Sequence, residues 1–97
     1  MPKFVSLVNW TELGVANFRG TVERADEARR LAQEMGGTVE SLYWTLGPHD
    51  VVVTVDLPDE QTASAFWLAI GSRGNTRSVT MRAFDDEEMR NIITKAG

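Results

Sequence analysis

Residues 38–57 read TVESLYWTLGPHDVVVTVDL, and how they are paired decides the fold of this chain. The first half, Thr38 to Leu46, is rich in β-branched and aromatic residues, and Val51 to Leu57 (VVVTVDL) is the strongest strand signal in the sequence. Gly47-Pro48-His49 between them supplies turn residues. Two strands joined by so short a Gly- and Pro-bearing connection predict a hairpin. Outward from it, each strand meets a helical pattern. Upstream, Thr21 reads as the N-cap of a helix through about Met35, with Val22, Ala25, Ala28, Leu31, Ala32 and Met35 forming an apolar stripe. Asp26 and Arg30 form a favourable i,i+4 pair on its wet side, and Gly36-Gly37 ends it. Downstream, Pro58-Asp59-Glu60 opens a helix through about Gly71 with Ala63, Phe66, Trp67 and Ile70 on one stripe.

Two further strands flank the helices: Phe4 to Asn9, and Thr76 to Phe84. Thr11 to Phe18 reads as one helical turn and a loop. A last helix starts at Asp85 with Glu88 three residues on, a capping-box pattern, and directs Met89, Ile92, Ile93 and Ala96 inward. The order β-α-β, tight turn, β-α-β, plus a C-terminal helix predicts an α+β domain over residues 1–97, with a four-stranded antiparallel sheet and helices on one face.

Composition narrows the function classes. The 97 residues are 42% hydrophobic and 25% charged, an ordinary globular balance that disfavours disorder. No cysteine is present, which excludes disulfides, thiolate metal sites and cysteine nucleophiles. The start, Met1-Pro2-Lys3-Phe4-Val5, runs straight into a strand without a signal-peptide apolar region, and no segment is long and apolar enough to span a membrane. Cytoplasm is the expected location, with no membrane partner. The net charge of −4 is the wrong sign for phosphate neutralisation. An RNA-recognition domain shares this element order, yet it stacks bases on third-strand aromatics, and the third strand here offers Val51-Val52-Val53-Thr54-Val55. Nucleic acid is therefore not an expected partner.

Period-two reading places Val5, Leu7, Val51, Val53, Val55, Val79, Met81 and Ala83 under the helices. Phe4, Ser6, Val8, Trp10, Val52, Thr54, Asp56, Ser78, Thr80, Arg82 and Phe84 then form the uncovered face. Tyr43 and Trp44 point oppositely, which leaves the parity of their strand open. An uncovered face this rich in aromatic and apolar residues points to a second subunit covering it. Two such faces would enclose an aromatic- and hydroxyl-lined space for a small organic ligand, with Trp10, Thr54, Thr80 and Arg82 as binding residues. Trp10 and Trp44 could wall such a pocket, whereas Trp67 reads as core.

Four segments stand out together: Asn9-Trp10-Thr11 with Gly14; Tyr43-Trp44-Thr45-Leu46-Gly47 with Asp50; Gly71-Ser72-Arg73-Gly74-Asn75; and Arg82-Ala83-Phe84. In order and spacing this set resembles the GYD domain family. The resemblance implies a dimeric α/β-barrel in which two ferredoxin-like subunits face their sheets together. Its signature turn reads Gly47-Pro48-His49-Asp50 here, with His49 where the family usually has tyrosine. The wider superfamily holds cofactor-free oxygenases and isomerases as well as ligand-sensing domains, so the fold does not fix a reaction.

Candidate chemistry is sparse. His49, the only histidine, is the one possible general base, but strand neighbours point apart and Asp50 cannot pair with it along a strand. Asp50 suits a turn carboxylate that accepts backbone N–H groups, and Gly47 a positive φ. Arg82 with Ser78 and Thr80 could hold an oxygen-rich ligand or form a salt bridge. Gly71-Ser72-Arg73-Gly74 follows a helix and lacks the P-loop ending, so it reads as a C-cap and turn. No metal ligand set is present and no cofactor is expected. Three functions remain: a homodimer binding a small molecule between its sheets, a cofactor-free oxygenase or isomerase, or an assembly or regulatory module with a packed interior.

Overall fold

The computed structural model describes residues 1–97. The elements are β1 (Lys3–Trp10), α1 (Glu12–Ala16), a 3₁₀ turn (Phe18–Gly20), α2 (Thr21–Glu34), β2 (Thr38–Trp44), β3 (Val51–Asp56), α3 (Glu60–Ser72), β4 (Thr76–Ala83) and α4 (Asp86–Ala96). The strands form one antiparallel sheet in the order β2-β3-β1-β4, the ferredoxin-like arrangement. The hairpin, both crossover helices and the C-terminal helix lie where the sequence puts them. No helix is long and apolar enough to cross a membrane.

The caps explain the helix starts. Asp59 accepts from the Thr62 N–H (2.7 Å) at the head of α3. Asp85 and Glu88 form the full reciprocal capping box at the head of α4. Thr21 differs from expectation: it is already helical, at φ −66° and ψ −35°, and Gly20 holds the cap position without a side-chain bond. Its hydroxyl is instead engaged by the indole N–H of Trp44, 3.0 Å away. Asp26 pairs with Arg29, at 3.0 Å, and not with Arg30.

The sheet faces are where pattern reading failed. Phe4, Ser6 and Val8 stand opposite Val55, Val53 and Val51, so these six residues share one face. That face lies under the helices: Phe4, Val55 and Leu57 are buried with Ala32 of α2 and with Ala63 and Phe66 of α3. Val8, Val51 and Val53 extend the same core toward the hairpin. On β4, Ser78, Thr80 and Arg82 sit opposite Val8, Ser6 and Phe4, so they too are on the helix side. The expected assignment of Val5, Leu7, Val79, Met81 and Ala83 to the core is therefore reversed, as is that of Phe4, Ser6, Val8, Trp10, Ser78, Thr80 and Arg82 to the open face. A bulge between Val39 and Ser41 settles β2: Val39, Leu42 and Trp44 turn to the helices and Tyr43 to the open side.

α4 also departs from expectation. None of its residues is buried; Met89 is 46% and Ile93 59% exposed. The radius of gyration is 14.5 Å. A compact chain of this length would have about 12.5 Å. The long axis of 50 Å fits a terminal helix that projects from the body. Its attachment is polar: Arg82 at the end of β4 bonds Glu88 at 2.8 Å.

Candidate functional site

Three stretches of the sequence meet at one corner, beyond the C-terminal end of β1. The Asp50 N–H donates to the Val8 carbonyl (2.9 Å), and the Asp50 carboxylate accepts the Trp10 backbone N–H (2.8 Å). The loop after α3 closes on the same point. Thr11 N–H donates to Asn75 O (3.0 Å), and the Thr11 hydroxyl donates to Gly74 O (2.6 Å). Gly14 is buried directly against the Asn75 carbonyl, where any Cβ would collide with it. Gly47 takes φ +128°, which lets the hairpin reverse.

The signature turn is thus a clamp. The Asn9 side-chain oxygen accepts from His49 Nδ1–H (2.8 Å), which fixes the proton on that ring nitrogen, and Asn9 Nδ2 donates to Pro48 O (2.9 Å). Thr45 donates its hydroxyl proton to the His49 carbonyl (2.6 Å). His49 and Asp50 lie in the turn before β3 and not on the strand, where they engage different partners, and His49 lines neither of the two concavities of the molecule.

The first concavity, of about 80 Å³, lies between the sheet and helices α2 and α3. The three tryptophans of the chain, Trp10, Trp44 and Trp67, all line it, with Phe66 at its base and Arg24 and Arg73 among its walls. Trp67 packs edge-on to Phe66, centroids 5.0 Å apart. The Trp67 indole N–H is buried with no hydrogen-bond partner, a situation that costs about 1–3 kcal/mol. Trp10 and Trp44 wall this cavity on the helix side of the sheet, not the space between paired sheets where the sequence reading puts them. Trp67 is half-buried and is a wall as well.

The second concavity is an open groove of about 760 Å³ between α3 and the edge strand β4. Thr80 and Arg82 stand here, with the Thr80 hydroxyl 2.7 Å from that of buried Ser6. Arg82 is occupied: besides Glu88, it donates to the carbonyls of Lys3 and Ala83 and stacks 4.6 Å over Phe84. The Arg82 guanidinium, and next the Asp85 N–H, hold the Glu88 carboxyl below the usual carboxylate range. The four residues expected to form one binding set are therefore divided. Trp10 is in the cavity, Thr80 and Arg82 are in the groove, and Thr54 is alone on the other side of the sheet.

That other side has no cover from the chain. It presents Val5 and Leu7 of β1, Val52 and Thr54 of β3, Val79 and Met81 of β4, and Tyr43 of β2. Val79 is 60% exposed and Tyr43 68%. Lys3, bonded to Asp56 (2.8 Å) and to Glu40, places charge at one end of the face.

Residues 4–93 match the GYD domain family. The chain is 32% identical over 84 residues to the glutamine synthetase and cystathionine beta-lyase binding protein of Thermus thermophilus, covering 86% of this chain and 88% of that protein. Among solved structures, it is similar to TTHA0845 from Thermus thermophilus, with TM-score 0.57 and 22% identity over 88% of this chain and 95% of that one. The structural-genomics protein YJCS has TM-score 0.54 at 6% identity, covering 89% and 100%. These two likenesses show a shared fold.

Proposed function

We propose that this chain, which belongs to the GYD domain family, is a binding module that pairs with a second copy through the open sheet face and acts by docking onto other proteins. The observation that carries the reading is the open face itself. A solvated antiparallel face is ordinarily polar, yet this one sets Val5, Leu7, Val52, Val79 and Met81 side by side. Four strands about 4.8 Å apart and a strand of eight residues outline roughly 500 Å². The apolar side of α4, 11 residues long, adds on the order of 150 Å². Together they approach the roughly 800 Å² per partner of a standard interface.

The chemistry of this face favours a filled interface over a polar pocket. Aliphatic side chains from two copies can interdigitate, while Ser6, Ser78, Thr80 and Arg82 are on the helix side and only Thr54 and Tyr43 bring hydroxyls to the open face. The assembly or regulatory module is accordingly the reading we adopt among the three. A catalytic role finds little support, because His49 and Asp50 are both engaged in holding the turn. The Thermus relative is named for binding glutamine synthetase and cystathionine beta-lyase. A metabolic enzyme is the corresponding partner class here.

Native mass spectrometry of the purified chain tests the pairing, and a dimer or an even multiple is the expected mass. A monomer at every concentration would end the sheet-to-sheet reading. Co-sedimentation with purified glutamine synthetase tests the partner class; separate boundaries would remove that enzyme from it.

A further inference from the structure

We infer that the cavity walled by Trp10, Trp44 and Trp67 is a binding site for a small apolar carboxylic acid, with its ring or branched chain among the indoles and its carboxylate toward Arg24 and Arg73. The site is separate from the open sheet face, on the opposite side of the sheet.

The walls are the first argument. Indoles from β1, β2 and α3 converge on one place, yet they do not fill it. Packed interiors seldom leave voids larger than a water molecule. One water needs about 10–15 Å³ of such space, whereas about 80 Å³ is open here. Apolar walls hold water poorly, and an apolar cavity about twice this volume takes up benzene. A cavity of this size that also opens to solvent suits a short branched chain, or one ring inserted by its edge with the rest of the molecule at the mouth. It is too small for a lipid or a folded segment.

Charge supplies the second argument. Two arginines and no aspartate or glutamate line the cavity, in a chain of net charge −4. Arg73 has a carboxylate partner, Glu27, at 3.2 Å. Arg24 forms no ion pair; the carbonyls of Asn17 (2.7 Å) and Gly14 (3.4 Å) hold its guanidinium in place. A positioned guanidinium with uncompensated charge beside an apolar cavity selects an anionic head on an apolar body, since arginine's planar fork matches a carboxylate. Neutral hydrocarbons gain nothing from the arginines, and cations are repelled by them. The indole of Trp67 divides this cavity from the groove beside β4, and its buried N–H has no acceptor in the protein.

Phenylacetate is a suitable probe, titrated into the full chain and followed by the indole N–H resonances and by tryptophan fluorescence. Saturable shifts of the indole signals are expected, and phenylacetamide, with the same ring and no charge, should bind about tenfold more weakly. Arg24→Gln should bring phenylacetate down to the affinity of the amide while leaving the amide unchanged. Because Arg24 also ties two loop carbonyls, Ala28→Leu provides an independent variant that fills the cavity from α2. It should fold as the parent does and lose the shifts. Equal affinity for acid and amide, undiminished binding by Ala28→Leu, or no saturable shift in the parent chain would each overturn the assignment.

Discussion

Leu7→Glu separates the proposed pairing from the stability of the single chain. Leu7 lies between Val52 and Val79 at the centre of the open face, half-buried by those neighbours. Burying a leucine fully contributes about 1.5–3 kcal/mol relative to leaving it exposed. Roughly half is already realised in one chain, so pairing adds about 1 kcal/mol per copy. Two-fold symmetry makes that about 2 kcal/mol for the dimer. A carboxylate enclosed there without a partner costs at least about 2 kcal/mol more per copy. The sum, about 6 kcal/mol, corresponds to a dissociation constant raised more than about ten-thousand-fold. In the separated chain the same carboxylate reaches water, and the change in folding stability should stay near or below about 1 kcal/mol. Sedimentation velocity at micromolar concentration, with circular dichroism on the same samples, reads both quantities. Leu68→Glu, on the outer side of α3 and 74% exposed, is the matched control and should leave the mass unchanged. If Leu7→Glu sediments like the parent, or if Leu68→Glu dissociates the protein equally, the open face is not the interface.

Two further outcomes follow from the turn and from α4. Asp50→Ala leaves the backbone N–H of Trp10 without its acceptor; the expected loss is about 1–3 kcal/mol, and a thermal melt should show a Tm lowered by on the order of 5–20 °C. The Glu88 carboxyl lies below its ordinary range because Arg82, and then the Asp85 N–H, stabilise its charged form. A depressed folded value means that this contribution is present at neutral pH and is lost as pH falls through and below the ordinary carboxylate range. Amide exchange in α4 should therefore accelerate in acid, and Arg82→Gln should flatten that dependence; an acid response unaltered by Arg82→Gln would refute the coupling.

Much of this architecture was legible because it rests on local chemistry. Asp59 and the Asp85–Glu88 box mark helix starts through caps that the sequence spells out. Gly47-Pro48-His49 marks the hairpin through its turn residues. Facing was not legible on β1, because both of its period-two sets are apolar and alternation then carries no direction. The pairing of Phe4 with Val55 decides it, and that is a tertiary fact. Ser78, Thr80 and Arg82 looked like an outer face because they are wet. They are wet on the helix side because α3 leaves the edge strand uncovered along the groove. In the same way Arg24 and Arg73 carry no common pattern in the sequence and meet only when α2 and α3 pack over the sheet. The stripe of Met89, Ile92 and Ile93 announced a surface to be covered, without saying by which chain.

The exchange of faces strengthens the case for a partner. With Phe4, Val8 and Trp10 outward, the open side would have been aromatic and dotted with hydroxyls, a surface that water and a small ligand could share. With Val5, Leu7, Val52, Val79 and Met81 outward, it is mainly aliphatic, and Thr54 is isolated among these residues. A central strand that is apolar on both sides belongs to a sheet covered on both sides. This chain provides helices for one side only and sends its last amphipathic helix away from the body. A second copy brings an identical aliphatic face and an identical free helix, so one two-fold contact could meet both needs. It would do so while leaving the tryptophan cavity, on the far side of the sheet, open to a ligand of its own.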